Sequence, residues 1–469
     1  MPARVMGAEM KLGILPLGRP TFDVPFAEDN LAAMLSALDA TRHEIIGPRE
    51  LLFDEGATRA GMTELQAAGV DQVLILQVTF ADASMTVAIG AEFDQPLSIW
   101  AIPEPRSGGR LRLNSLCGLN LAAHALGLID RDFGWLFADP AGEVGEDLTA
   151  LFRGARPARD LPLGAVPAAT REGEAIARAI RGRRIARIGE HPVGFDTCAY
   201  DPGPLKALAG VEVDAMDLDD LFSAARAATS ETAGALRAEV AGQVDGLDDV
   251  DQDELDRSLR LKAGLDDLRG TGRYDAFAIR CWPETFTEYG GAVCGPAAML
   301  GMARVPCACE ADVYGALTQL ILLQAAQAPV FLTDLVDMDV RDNSGVVWHC
   351  GQAPLSMRDP EGPAEATIHT NRKRPLLLQF TLKPGPVTFL RISQAKGRPH
   401  MVLACGEMLR RPMAFTGTSG VVRFEREAGA VLDDVIASRL EHHMALAYGD
   451  HRAMLRGVAG AMGLPLLEL

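Results

Sequence analysis

Across residues 11–154 short apolar runs alternate with longer amphipathic ones, and this alternation is the strongest constraint on the fold. KLGILPLG, HEIIGP, DQVLILQVTF and LSIWAIPEP read as strands, with NLAAMLSALDA and MTELQAAG as helices between them. A helix inserted between consecutive strands imposes a parallel sheet with helices on its faces. Such sheets hold ligands in the loops after their strands, here PLGRPTFD with Arg19 and Asp23, and VTFADASM with Asp82. A proline-rich stretch at residues 157–168 reads as a link. RRIARIGEHPVGFD, VEVDAMDLDDLFSAARAA and YDAFAIRCWPE then build a second unit of the same kind, whose last strand presents Arg280, Trp282 and Glu284.

Beyond residue 340 the pattern changes. SGVVWHCG, EATIHT, RPLLLQFTL, GPVTFLRIS, HMVLACGEML and GVVRFE are closely spaced strands with Gly and Pro turns, which implies an antiparallel sheet or small barrel. The tail from VLDDVIASRLEHH onward returns to helices and ends in a short apolar strand. The expected fold is therefore α/β: two consecutive doubly wound, Rossmann-like domains at residues 1–165 and 166–339, then a β-rich, barrel-like domain at 340–469 whose terminal helices carry His443. At 469 residues the chain is long enough for several cores.

The net charge of −18 repels phosphate backbones and anionic lipid surfaces, which argues against nucleic-acid and membrane partners. No window approaches the roughly 20 apolar residues needed to span a bilayer, and the N-terminus has no signal-peptide core. A cytoplasmic protein is expected, with Met6 and Met10 as alternative starts. The eight cysteines lack C-x-x-C spacing and mostly fall in stretches read as apolar strands, the usage of a reducing compartment. The acidic run DGLDDVDQDELDRSLRLKAGLDDL reads as a solvated amphipathic helix.

Chemistry concentrates in CEADVYGALT, FLTDLVDMD and VVWHCG. Glu310 falls at the head of a helix, Asp334 at the end of a short apolar strand and His349 on the next strand. One helix and a return strand separate the two carboxylates, a crossover that would bring both to one rim of a parallel sheet. His442 and His443 are adjacent, so on a strand at most one is expected to reach a shared site. His400 is a further candidate, although a histidine opening a strand is more often at the surface. Two carboxylates with one or two imidazoles suit Mn²⁺ or a similar divalent cation better than zinc-thiolate chemistry. Such an ion grips adjacent sugar oxygens while the carboxylates move protons, which is aldose–ketose isomerisation through an enediol.

These motifs, together with CWPE and the closing EHHMALAYGDHRAMLRGVAGAMGLPLLEL, resemble the L-fucose/L-arabinose isomerase family, in particular its shorter fucose-isomerase-like branch. The resemblance implies that Glu310 and Asp334 bind Mn²⁺ and serve as the acid/base pair, and that His443, from the His442–His443 pair, completes the ligand set. His349 matches a further histidine ligand of the arabinose-type enzymes approximately. It also implies a homo-oligomer, trimer or hexamer, with the active site at a subunit interface, where Arg19 and Asp82 would meet a neighbour's sugar. Arg280, Trp282 and His442 complete the substrate-binding candidates. The sequence does not name the sugar or say whether it carries a charged substituent. The other readings on the same scaffold are a metal-dependent lyase or epimerase and a non-catalytic sugar-binding protein. A nucleotide site is disfavoured because YGGAVCGPAAML does not give G-x-G-x-x-G.

Overall fold

The computed structural model describes residues 9–469, so Met6 lies outside the described residues. The described residues form two compact units, the first made of residues 9–104, 112–160 and 436–439, the second of the remainder.

In the first unit β1 (Lys11–Leu17), β2 (Glu44–Ile46), β3 (Gln72–Gln77), β4 (Leu97–Ala101) and β5 (Gly134–Phe137) form a parallel sheet of order β2-β1-β3-β4-β5. This is a doubly wound order, with its reversal between β1 and β3. All of β3 and nearly all of β1 is buried, as expected of strands covered on both faces. Leu12, Ile14, Leu74 and Trp100 pack against Leu31, Met34 and Leu38 of the helix Val24–Asp39.

The second unit holds two sheets. β6 (Arg184–Ile188), β7 (Glu212–Met216), β8 (Ala276–Ile279) and β9 (Cys307–Ala308) form a parallel sheet of order β7-β6-β8-β9. The other sheet comprises β10 (Phe331–Asp339), β11 (Ser344–His349), β12 (Glu365–Thr367), β13 (Leu377–Thr381), β14 (Gly385–Ser393), β15 (His400–Leu409), β16 (Thr418–Phe424), β17 (His443–Tyr448) and β18 (Leu466–Glu468). Six of these strands pair antiparallel in the ring β16-β11-β10-β17-β14-β15, and β15 pairs back to β16 to close it. The β-rich region is thus a closed barrel, with β13 and β18 added parallel to its rim strands.

The helix Val313–Ala326 ties these two sheets together. It is apolar on every side, the mark of a helix buried all round. Leu317, Leu320 and Ile321 share one core with Ile185, Ala276 and Ala278 of the parallel sheet and with Leu390, Ile392, Ala445 and Ala447 of the barrel. Each such side chain contributes roughly 1.5–3 kcal/mol by burial, which fixes the helix between the two sheets.

Four expectations need correction. The chain does not cross back to the parallel sheet after this helix; β10 enters the barrel instead, antiparallel to β11 and β17, because an apolar strand after a helix looks the same in either sheet. Asp334 consequently sits within β10 rather than at a strand end. His443 is not on a terminal helix: HMALAY is the strand β17, a short apolar run whose period does not distinguish the two states. Of the cysteines, only Cys307 and Cys405 lie on strands, although seven of the eight are buried and all are free thiols. The acidic run does form an amphipathic helix, Gln252–Gly272, with Leu255, Leu259, Leu261 and Leu265 buried. Among the described residues no helix is long and apolar enough to cross a membrane.

Candidate active site

The site is built where β9 gives way to the buried helix. After Ala308 the backbone turns through Glu310 (φ 59°, ψ 25°) and Ala311 (φ 57°), two successive non-glycine residues in the left-handed region. Each costs about 1 kcal/mol, and such strain persists only where the surroundings enforce it. Asp312 then caps the helix, its Oδ1 accepting the Gly315 N–H at 2.7 Å. A Cβ on Gly315 would lie 2.5 Å from Asp312 Oδ2, so glycine leaves room for the capping carboxylate. Glu310 is thus two residues outside the helix it was expected to head.

The barrel supplies the rest. Asp334 on β10 and His443 on β17 are direct cross-strand partners and share a face. His443 Nε2 lies 3.4 Å from Asp334 Oδ1 and 3.6 Å from Glu310 Oε2. On its other side His443 Nδ1 stands 2.9 Å from Asp312 Oδ2. An ionised carboxylate accepts only, so Nδ1 donates to Asp312 and Nε2 is directed at Glu310 and Asp334. His349, the last residue of β11, stacks its ring 5.7 Å from that of His443. His442 Nε2 bonds Glu310 Oε2 at 3.0 Å, and Trp282 Nε1 donates to Glu310 Oε1 at 3.1 Å.

Behind these groups lies a buried ion network. Arg391 on β14 donates to both oxygens of Asp312, and its Nε is 4.0 Å from Glu441. Asp312, Arg391 and His443 are each at most 1% exposed, so every charge depends on the next. Glu310 keeps 13% of its side chain open to solvent, enough for a ligand to reach it.

Burial and neighbours split the two carboxylates. Burial alone would raise Glu310, but the His442 hydrogen bond and the nearby imidazoles outweigh it and lower it to about 2. Asp334 is raised to about 7, chiefly by burial and further by the charge of Glu310, against the pull of His443. Burial lowers His349 to about 3 and His442 to about 4, with His443 adding to both effects. His443 is raised: burial opposes this, but the hydrogen bond to Asp312 and the charge of Asp334 prevail. Asp312 is held well below the usual carboxylate range by Arg391 and His443 against its burial.

The donor set fits a cation. Among the described residues Asp334, His349 and His443 each offer a ligand atom within 4.8 Å of the other two. Two ligands at about 2.1–2.4 Å from one ion can stand no farther apart than this. Asp334 Oδ1, His349 Nε2 and His443 Nε2 are buried without a hydrogen-bond partner, a costly arrangement that a shared ion would relieve. Cys198, Glu310, His442 and His443 form a second such group, sharing His443.

Glu310, Asp334, His349, His442, His443 and Trp282 are therefore brought together. Both adjacent histidines reach Glu310, contrary to expectation, because His442 lies in the bend before β17 and escapes strand alternation. Arg280 turns instead to Glu284, 2.7 Å away. Arg19 and Asp82 belong to the first unit, Arg19 lying over the Phe80 ring and Asp82 accepting from the Ser84 N–H. His400 is buried rather than at the surface, bonded to the Arg398 carbonyl. Sequence reasoning missed Asp312, Arg391, Glu441 and Cys198. A lone arginine inside the apolar strand VTFLRIS was the available signal for Arg391, since a buried charge demands a partner.

Comparison with known proteins follows the same division. Residues 13–162 match the family described as fucose/sulfoquinovose isomerase, N-terminal domain, and residues 377–469 match the L-fucose isomerase, C-terminal domain. The sulfoquinovose isomerase of Priestia aryabhattai is 31% identical over 440 residues, covering 93% of this chain and 94% of its own. The sulfoquinovose isomerase of Alkalicoccus urumqiensis is 30% identical over 97% of this chain and 98% of its own, and that of Clostridium sp. (strain MSTE9) 29% over the same shares. The chain belongs to the fucose isomerase-like family of sugar aldose–ketose isomerases.

Proposed function

We propose that this chain is a Mn²⁺-dependent isomerase that converts sulfoquinovose, a glucose bearing a sulfonate at C6, into the corresponding 2-ketose through a cis-enediol. The substrate is taken from the full-length relatives, each named a sulfoquinovose isomerase. The observation that carries the chemistry is the convergence of Glu310, Asp334 and His443, with Asp334 Oδ1 and His443 Nε2 buried without hydrogen-bond partners 3.4 Å apart.

A divalent cation held by Glu310, Asp334, His443 and His349 would supply Lewis acidity at the C1 and C2 oxygens of the sugar. The two carboxylates divide the proton work, one as base and the other as acid. Glu310, ionised at neutral pH, takes the proton from C2 while Asp334 gives one to O1. Glu310 then delivers its proton to C1 and the O2 proton returns to Asp334, so the balance closes within the pair. Asp312 holds the His443 ring in the required tautomer. Trp282 fixes the Glu310 carboxylate through its indole N–H. Assembly as a trimer or hexamer, with Arg19 and Asp82 serving a neighbouring subunit's site, is part of the proposal, as is a cytoplasmic location.

The test is proton NMR in D₂O of the Mn²⁺-loaded protein with sulfoquinovose, glucose, 6-deoxyglucose, fucose and arabinose, beside an EDTA-treated control. EDTA-sensitive ketose formation from sulfoquinovose with deuterium entering at C1 or C2 is expected. Turnover untouched by EDTA, or absent with sulfoquinovose, would overturn it.

A further inference from the structure

An anionic sugar presents a problem to a protein of net charge −18 whose site presents Glu310 and Asp334. The field over the molecule repels the substrate, so a local cationic group must offset it. IHTNRKRP, between β12 and β13, places His369, Arg372, Lys373 and Arg374 within six residues. This segment is built against the active-site wall. The His369 ring meets Phe286 edge-on at 5.3 Å, and Phe286 shares a small apolar cluster with Trp282. The Arg372 guanidinium lies over the Trp282 ring, 5.1 Å from its centroid. The same indole donates to Glu310. Arg372 and Glu310 therefore meet the same indole, the first over its face and the second at its N–H edge.

The loop is a formed structure. His369 Nδ1 accepts from the backbone N–H groups of Asn371 and Arg372, both at 3.2 Å, and the Lys373 N–H bonds the His369 carbonyl at 2.7 Å. Arg374 is paired with Glu254, which anchors the far end of the turn. Arg110 donates to Asn371 Oδ1 at 3.0 Å and brings a second guanidinium to the same place.

We infer that the loop carrying Arg372, stacked on Trp282, is the sulfonate-recognition element, and that Arg372 is the residue that selects an anionic sugar end. This rests on the sulfonated-sugar reading above. A guanidinium presents a planar fork of donors to an oxyanion, and the Trp282 ring fixes the plane of that fork. Sulfonate, with three oxygens sharing one charge, accepts two of those donors while the polyol chain runs along the indole toward Glu310.

The experiment compares Arg372→Met, which keeps aliphatic bulk on Trp282, and Arg372→Lys, which keeps the charge, with the wild-type holoenzyme. Ketose formation from sulfoquinovose is followed over a range of substrate and NaCl concentrations. Arg372→Met should raise KM at least tenfold with kcat changed less than threefold, and the salt dependence of KM should weaken. Arg372→Lys, which restores the charge but not the planar fork, should recover only part of the loss, and a folding defect would permit no such recovery. Wild-type turnover with an unaltered KM in Arg372→Met overturns this inference alone. No wild-type turnover of sulfoquinovose overturns the functional proposal beneath it.

Discussion

Asp334 and His443 face each other across β10 and β17 as a direct cross-strand pair, with His443 Nε2 3.4 Å from Asp334 Oδ1. Because their separation is set by strand spacing rather than by loop conformation, the pair is held in place before any ion arrives. Mn²⁺ at 100 times its dissociation constant should then stabilise the fold by about 2.7 kcal/mol. That increment is measurable as a rise in melting temperature, and it should vanish in His443→Ala along with activity.

Glu310→Gln removes the proton acceptor and keeps the side-chain shape. Turnover should fall by about 10²–10⁴-fold, the usual worth of a positioned base. The melting temperature of the metal-free protein should stay near that of the wild type. Retained deuterium exchange at C2 would remove Glu310 from its assigned role.

Asp312 supports the site through bonds to three partners, Gly315, Arg391 and His443. Asp312→Ala strands the Arg391 guanidinium in the interior and should cost about 3–5 kcal/mol in urea denaturation. Asp312→Asn is milder for the fold but withdraws the anion behind His443, so Mn²⁺ affinity by calorimetry should drop about 10–100-fold.

Acid should destabilise the metal-free protein in a defined window. His349 and His442, lowered to about 3 and about 4 chiefly by burial, stay neutral in the fold below 6.5, where the unfolded chain takes up protons. Each therefore contributes stability that is present above 6.5 and is lost as pH falls toward its folded value. Asp334, raised to about 7 chiefly by burial, acts in the opposite sense and gains relative stability over the same descent. His400, also lowered by burial, and Glu310, which burial would raise but its imidazole neighbours lower, add losses. His443, which burial would lower but Asp312 raises, adds a gain near the top of the window. The balance expected is a fall in melting temperature between pH 6.5 and 4. His442→Gln should flatten that fall, and an unchanged slope would show that His442 is not held neutral.

Much of this was legible in the sequence because it rests on local pattern. The parallel sheets follow from strand and helix alternation, and Glu310, Asp334 and His349 stand out as polar residues at the edges of apolar runs. What stayed hidden depends on pairing between distant segments. That β10 joins the barrel is decided by its neighbours β11 and β17, not by FLTDLVDMD itself. Asp312 looks like any N-cap, and only the approach of Arg391 and His443 gives it a second task. His442 was misjudged because strand alternation was applied one residue before the strand begins.

The barrel ring is closed by the pairing of β15 with β16. A strand in an open sheet can slip past its neighbour by two residues and keep its faces, but in a ring each slip must be matched all the way round. The strands bearing Asp334, His349, Arg391 and His443 are thereby geared to one another, like cogs with no free end. Sequence change in the connecting segments can then alter the loops while Asp334, His349, Arg391 and His443 keep their register.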